Sequence, residues 1–215
     1  MAGSSDRRAP IPPEIQRSRV IAIGRRLAPE SIVPAAEALV AGGVLAFEIT
    51  LDSPDAIHAI RELSERYSQG PLLVGAGTVL DLVGASAAVR HGARFLVSPH
   101  TDIELVHWAA DQAIPVFPGA FTPSEILTAW RAGATAVKLF PASAAGPTYL
   151  RELRGPLAGV PLIPTGGITA ENAAGFIAAG AVALGVGSWL VGDGAPDRIR
   201  QRATELINAV GSATP

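Results

Sequence analysis

The chain contains no cysteine. Disulfides, thiolate metal sites and cysteine nucleophiles are therefore excluded. Lysine is almost as scarce. Lys138 is the only one, and every other member of the 17 basic residues is arginine. Aromatic residues make up 5% of the chain against 48% hydrophobic residues in all, so the apolar content is mostly small and branched. That mixture suits a large α/β core rather than an aromatic-rich all-β one. No large excess of either charge is present, the formal net charge being −2, and this excludes a nucleic-acid footprint. No apolar run is long enough, and free enough of Gly, Pro and charge, to cross a bilayer or serve as a signal peptide. The expectation is a soluble, cytoplasmic protein with neither nucleic acid nor membrane as partner.

What is present is a regular alternation. Residues 1–13 are polar and proline-rich and read as a flexible leader. Residues 14–212 read as a single domain. Short apolar, β-branched runs start near Arg19, Val44, Leu72, Phe95, Pro115, Ala136, Pro161 and Ala181. A helical segment follows each one. Several helices carry start signals: Ser53-Pro54-Asp55, Thr101-Asp102, Thr122-Pro123-Ser124-Glu125 and Thr169-Ala170-Glu171-Asn172. A helix near Thr148 to Arg154 is expected after the sixth strand. Ala41-Gly42-Gly43, His91-Gly92-Ala93, Ala132-Gly133-Ala134 and Ala179-Gly180-Ala181 each precede an apolar strand, as a recurring helix-to-strand turn with a left-handed glycine would. Near-continuous apolar strands imply a parallel sheet covered by helices. Near-equal units favour closure into one (β/α)8 TIM barrel over an open doubly wound sheet.

Chemistry in such a barrel belongs at the carboxyl ends of the strands. Lys138 lies in Ala136-Val137-Lys138-Leu139-Phe140-Pro141, between apolar neighbours. Two readings are open for it: a strand residue whose head reaches solvent, or a desolvated amine able to form a Schiff base. Glu48, inside Phe47-Glu48-Ile49-Thr50-Leu51, is either a buried partner for an arginine or a general base. Thr50 shares its face by strand alternation. Arg25 ends the first strand and can clamp a carboxylate, whereas Arg26 reads as a surface charge pointing elsewhere. Pro164-Thr165-Gly166-Gly167 and Gly185-Val186-Gly187-Ser188 are glycine-rich turns after the last two strands, a frequent phosphate site in barrels, here with no basic neighbour in sequence. His58, His91, His100 and His107 form no metal constellation, so no metal and no cofactor is expected.

Together these motifs, with Val74-Gly75-Ala76-Gly77-Thr78-Val79, Val97-Ser98-Pro99-His100 and Gly187-Ser188-Trp189-Leu190, make the sequence resemble the 2-keto-3-deoxy-6-phosphogluconate / 4-hydroxy-2-oxoglutarate aldolase family. The likeness covers nearly the whole chain after the leader. It implies a metal-free class I aldolase of carbohydrate metabolism, a lyase on a TIM barrel, typically a homotrimer. Its reaction would cleave a 2-keto-3-deoxy-(6-phospho)sugar acid to pyruvate and an aldehyde. The resemblance makes Lys138 the imine-forming amine and Glu48 its acid/base. Arg25, Thr50, Thr78, Pro99, Phe140 and Thr165 would bind substrate, and Gly166, Gly167, Gly187 and Ser188 its phosphate. One position departs from the pattern. Many relatives have an arginine where this chain has Asp52, which moves the carboxylate-binding role to Arg25. Thr165 leans the substrate toward the gluconate epimer. Two rivals share these residues: a phosphate-binding barrel isomerase or decarboxylase without imine chemistry, and a non-catalytic trimeric barrel.

Overall fold

The computed structural model describes residues 8–192 and 194–213. Nine strands and nine helices are found among these residues, alternating except where β5 and β6 follow one another. The strands are β1 (Val20–Gly24), β2 (Ala46–Thr50), β3 (Leu73–Gly77), β4 (Leu96–Val97), β5 (Val116–Phe117), β6 (Gly119–Ala120), β7 (Val137–Leu139), β8 (Leu162–Pro164) and β9 (Leu184–Val186). The helices are α1 (Pro13–Ser18), α2 (Pro29–Ala41), α3 (Ala56–Arg66), α4 (Leu82–Arg90), α5 (Ile103–Asp111), α6 (Pro123–Arg131), α7 (Ala142–Arg154), α8 (Ala170–Ala178) and α9 (Pro196–Gly211). Every strand residue is buried, as in a parallel sheet covered on its outer face by helices.

All pairings are parallel and fall into two ladders, β5-β4-β3-β2-β1-β9 and β6-β7-β8. The sheet is thus curled and parallel, and it differs from the expected uninterrupted eight-stranded barrel at two joints. The fifth strand, expected as one run, is split by Pro118, which has no N–H to give to a ladder. Its carbonyl still accepts from the Lys138 N–H at 2.9 Å. At the other joint a single parallel bridge, Thr165 with Gly185, links the end of β8 to β9.

Residues facing the inside of the curl form an apolar layer near the amino ends of the strands. Ile21, Ala46, Leu73, Phe95, Val97, Phe117, Ala136, Ile163 and Ala183 pack together, and Ile15 of α1 closes the layer. Counting upward by two from this layer, the strand period leads to Glu48, Lys138 and Thr165. A dry base therefore supports the polar residues.

Local signals explain most of the connections. Gly43, Gly92, Gly133 and Gly180 all have φ between 89° and 106°, the left-handed conformation expected at the repeated turn. Thr122 with Glu125, and Thr169 with Asn172, form capping boxes. Ser53-Pro54-Asp55 behaves otherwise: Asp55 precedes α3 at φ 51° and makes no capping bond, and Ser53 Oγ accepts from the Arg26 N–H instead. The helix expected near Thr148 starts earlier, at Ala142, and bends at Gly146 (φ 70°) before Pro147. The expected flexible leader divides: residues 1–7 lie outside the described residues, while Arg8 donates to the carbonyls of Ala134 and Trp130, both at 2.7 Å, and Ala9 is buried.

Candidate active site

The carboxyl ends of the strands surround an open cleft of about 1050 Å³. Lys138 reaches its floor from β7 and is 6% exposed. Burial lowers its pKa below the usual lysine value, and Arg25 lowers it further, while Glu48 acts to raise it. Glu48, 2% exposed on β2, is pushed up to about 7 by burial against the opposing pull of Lys138 and Arg25. An amine and a carboxyl group have been moved toward each other on the pH scale, the arrangement that proton transfer near neutrality needs.

Beneath the cleft a hollow of about 10 Å³ is bounded by Glu48, Lys138 and Thr165 together with Ile21, Ile23, Val97, Phe117, Ile163 and Gly185. It is of the order of one water molecule in size. Two glycines make room here. A Cβ on Gly77 would stand 2.5 Å from Glu48 Oε1, and one on Gly185 would stand 2.3 Å from Thr165 Oγ1. Each polar side chain lies across the backbone of the next strand, at a place where only hydrogen fits.

The cleft brings together Arg25, Thr78, Pro99, Lys138, Phe140, Thr165, Gly166, Gly167, Gly187 and Ser188, all singled out from the sequence. The Phe140 ring lies beside the amine, its centroid 4.9 Å from Lys138 Nζ. Gly166 and Gly167 have φ of 98° and 72°, the conformation that turns the chain sharply after β8. Thr50 is the exception. It is fully buried, its hydroxyl donates to the Gly24 carbonyl at 3.3 Å and it meets Ser53 Oγ at 2.9 Å, so it joins two loops rather than lining the cleft.

Arg26 also differs from its expected place. It lines the cleft, with φ 53°, its N–H held by Ser53 Oγ at 2.8 Å. The glycine-rich turns therefore share a cavity with two arginines that are remote from them in sequence. Ile23, Leu80, Ile168, Thr169, Trp189, Val191 and Gly192 complete the wall without having been foreseen as ligand contacts. For Trp189, the position directly after Ser188 is the available signal.

The family model described as Aldolase, KDPG and KHG aldolase, matches residues 11–208. The chain belongs to this family. It is 41% identical over 168 residues to the 2-dehydro-3-deoxy-phosphogluconate aldolase of Pseudomonas aeruginosa, covering 78% of this chain and 76% of that one. It is 36% identical over 204 residues to the probable 2-dehydro-3-deoxy-6-phosphogalactonate aldolase of Rhizobium meliloti, covering 94% and 95%. Among solved structures, KDPG aldolase from Legionella pneumophila, with pyruvate captured as a covalent carbinolamine intermediate, superposes with TM-score 0.78 at 31% identity, covering 94% of this chain and 97% of that one.

Proposed function

We propose that this KDPG/KHG-family protein is a class I aldolase that cleaves a 2-keto-3-deoxy-6-phospho sugar acid to pyruvate and glyceraldehyde 3-phosphate. The observation that carries the reading is a buried lysine amine at the floor of an open cleft, sharing the small hollow beneath it with a buried carboxyl group whose pKa burial pushes up to about 7. The Legionella relative, captured with pyruvate as a covalent carbinolamine, supports the same chemistry.

Cleaving the C3–C4 bond of such a substrate directly would leave an enolate, which is unstable at neutral pH. Lys138 instead attacks the C2 ketone, passes through a carbinolamine and loses water to give a protonated imine. Burial favours the neutral, nucleophilic amine needed for the first step. Glu48 then takes the C4 hydroxyl proton, the C3–C4 bond breaks, the aldehyde departs and its electron pair is held as an enamine. Glu48 returns a proton to C3, and hydrolysis releases pyruvate and restores the amine.

Arg25 and Thr78 take the C1 carboxylate in this reading. Thr165 meets the hydroxylated middle of the chain. The amides of Gly166, Gly167 and Gly187 with Ser188 hold the distal phosphate, at turns where backbone N–H groups are free to bind anions. A homotrimer is the proposed assembly, and Val83 and Ile103, large apolar side chains left exposed outside the cleft, support self-association. Light scattering tests that assembly.

Borohydride reduction in the presence of pyruvate tests the chemistry. A reduced mass adduct on Lys138, absent in Lys138→Arg, is the expected result, and its absence overturns the proposal. Pyruvate release from phosphorylated and free keto-deoxy acids of both epimers then ranks the substrates.

A further inference from the structure

The guanidinium of Arg25 is held from two sides. Nη1 donates to Asp52 Oδ2 at 3.0 Å and Nη2 donates to Thr78 Oγ1 at 3.0 Å. The partners follow the ends of β2 and β3, so one side chain is tied across three neighbouring strands. The loop beneath is fastened through the Arg26 N–H, Ser53 and Thr50, and Arg26 Nε stands 3.6 Å from the same Asp52 Oδ2, a longer ion pair on a more exposed side chain. Arg25 and Thr78 line the cleft, while Asp52 stands behind them. A guanidinium has five N–H donors, so a carboxylate can still meet a pair of those left over.

We propose that Asp52 is a positioning residue that holds Arg25 so that its free donors meet the keto-acid carboxylate. The proposal rests on the reading that Arg25 binds that group.

Removing Asp52 has two opposed effects. It frees Arg25 to swing, and it removes a negative charge that competes with substrate. The side chains of Arg25 and Asp52 are 52% and 27% exposed, so solvent and salt screen the competition. An unheld arginine, by contrast, must be ordered anew by each substrate that binds. Orientation outweighs competition.

The test follows the pyruvate concentration dependence of borohydride trapping on the full-length chain. Asp52→Ala is expected to raise half-saturation about tenfold and leave the limiting rate within about twofold. Asp52→Asn keeps an acceptor oxygen and recovers most of the loss. In an Arg25→Ala background, Asp52→Ala has no further effect, and acetone, which has no carboxylate, is trapped equally by the native protein and Asp52→Ala. An equal loss in the Arg25→Ala background or with acetone overturns the proposal, as does tighter pyruvate binding by Asp52→Ala. If Asp52→Ala does not fold, Asp52→Ser, too short to reach Arg25, replaces it. A native protein that gives no adduct with pyruvate would instead refute the imine reading.

Discussion

Glu48 rests directly over Gly77, its Oε1 only 2.5 Å from where a Cβ on that glycine would be. β2 and β3 pair in register here, with Thr50 opposite Gly77 and Glu48 opposite Gly75, so the carboxyl leans across the next strand toward its carboxyl end. Gly77→Ala displaces the acid/base while leaving the amine in place. Pyruvate release from the natural substrate should fall about 100-fold, within the range that general acid–base catalysis supplies. Borohydride trapping of pyruvate on Lys138 should persist. If cleavage by the variant stays within a few-fold of native, Glu48 does not depend on that position.

The pH dependence has a definite sign. Glu48 accepts a proton only when ionised, and its pKa is about 7. Lys138 attacks only when neutral, so acid removes both active forms. kcat/KM should fall as pH drops through about 7, as the group titrates. Glu48→Gln abolishes the carboxylate that raises the pKa of Lys138. The midpoint for pyruvate trapping should therefore move to lower pH in that variant, even as cleavage collapses. An upward movement, read from the trapping profile, contradicts the coupling.

The repeat of strand, helix and left-handed glycine could be read from the sequence because each unit is local. Gly43, Gly92, Gly133 and Gly180 supply positive φ wherever they stand. Lys138 and Glu48 were also legible, since each interrupts an apolar strand. The Arg25–Asp52 pair was not, because it depends on the register of β1 against β2, with Gly24 opposite Ile49. Arg26 is the exposed charge expected, yet it also borders the cleft, because side-chain alternation stops where the strand stops. Thr50 obeys alternation, yet Gly24 and Ser53 lie close enough to occupy its hydroxyl.

Gly167 combines positive φ with a close neighbour. At φ 72°, an added Cβ would lie 2.7 Å from that of Ser143 in the first turn of α7. Gly167→Ala must therefore shift the turn whose amides are assigned to the phosphate. KM for a phosphorylated substrate should rise about tenfold, with little change for its unphosphorylated counterpart. Equal losses on the two substrates would point to general damage, and steady-state kinetics on the pair distinguishes these outcomes.

Arg8 makes a stability prediction that is independent of the chemistry. Its guanidinium carbon lies 3.4 Å from the Trp130 ring centroid, and its N–H groups bind the carbonyls of Trp130, in the last turn of α6, and of Ala134 just beyond it. A cation at a helix carboxyl end satisfies acceptors that the helix leaves open and opposes its negative pole. Arg8→Ala removes two charge-assisted hydrogen bonds and a cation–π contact, a loss of about 2 kcal/mol given the partial exposure. Tm should fall by roughly 4–8 °C for a domain of this size. kcat should be unchanged, because the contact lies at the amino end of β7, away from the cleft. An unchanged melting curve would mean that the leader is not fastened to α6 in solution.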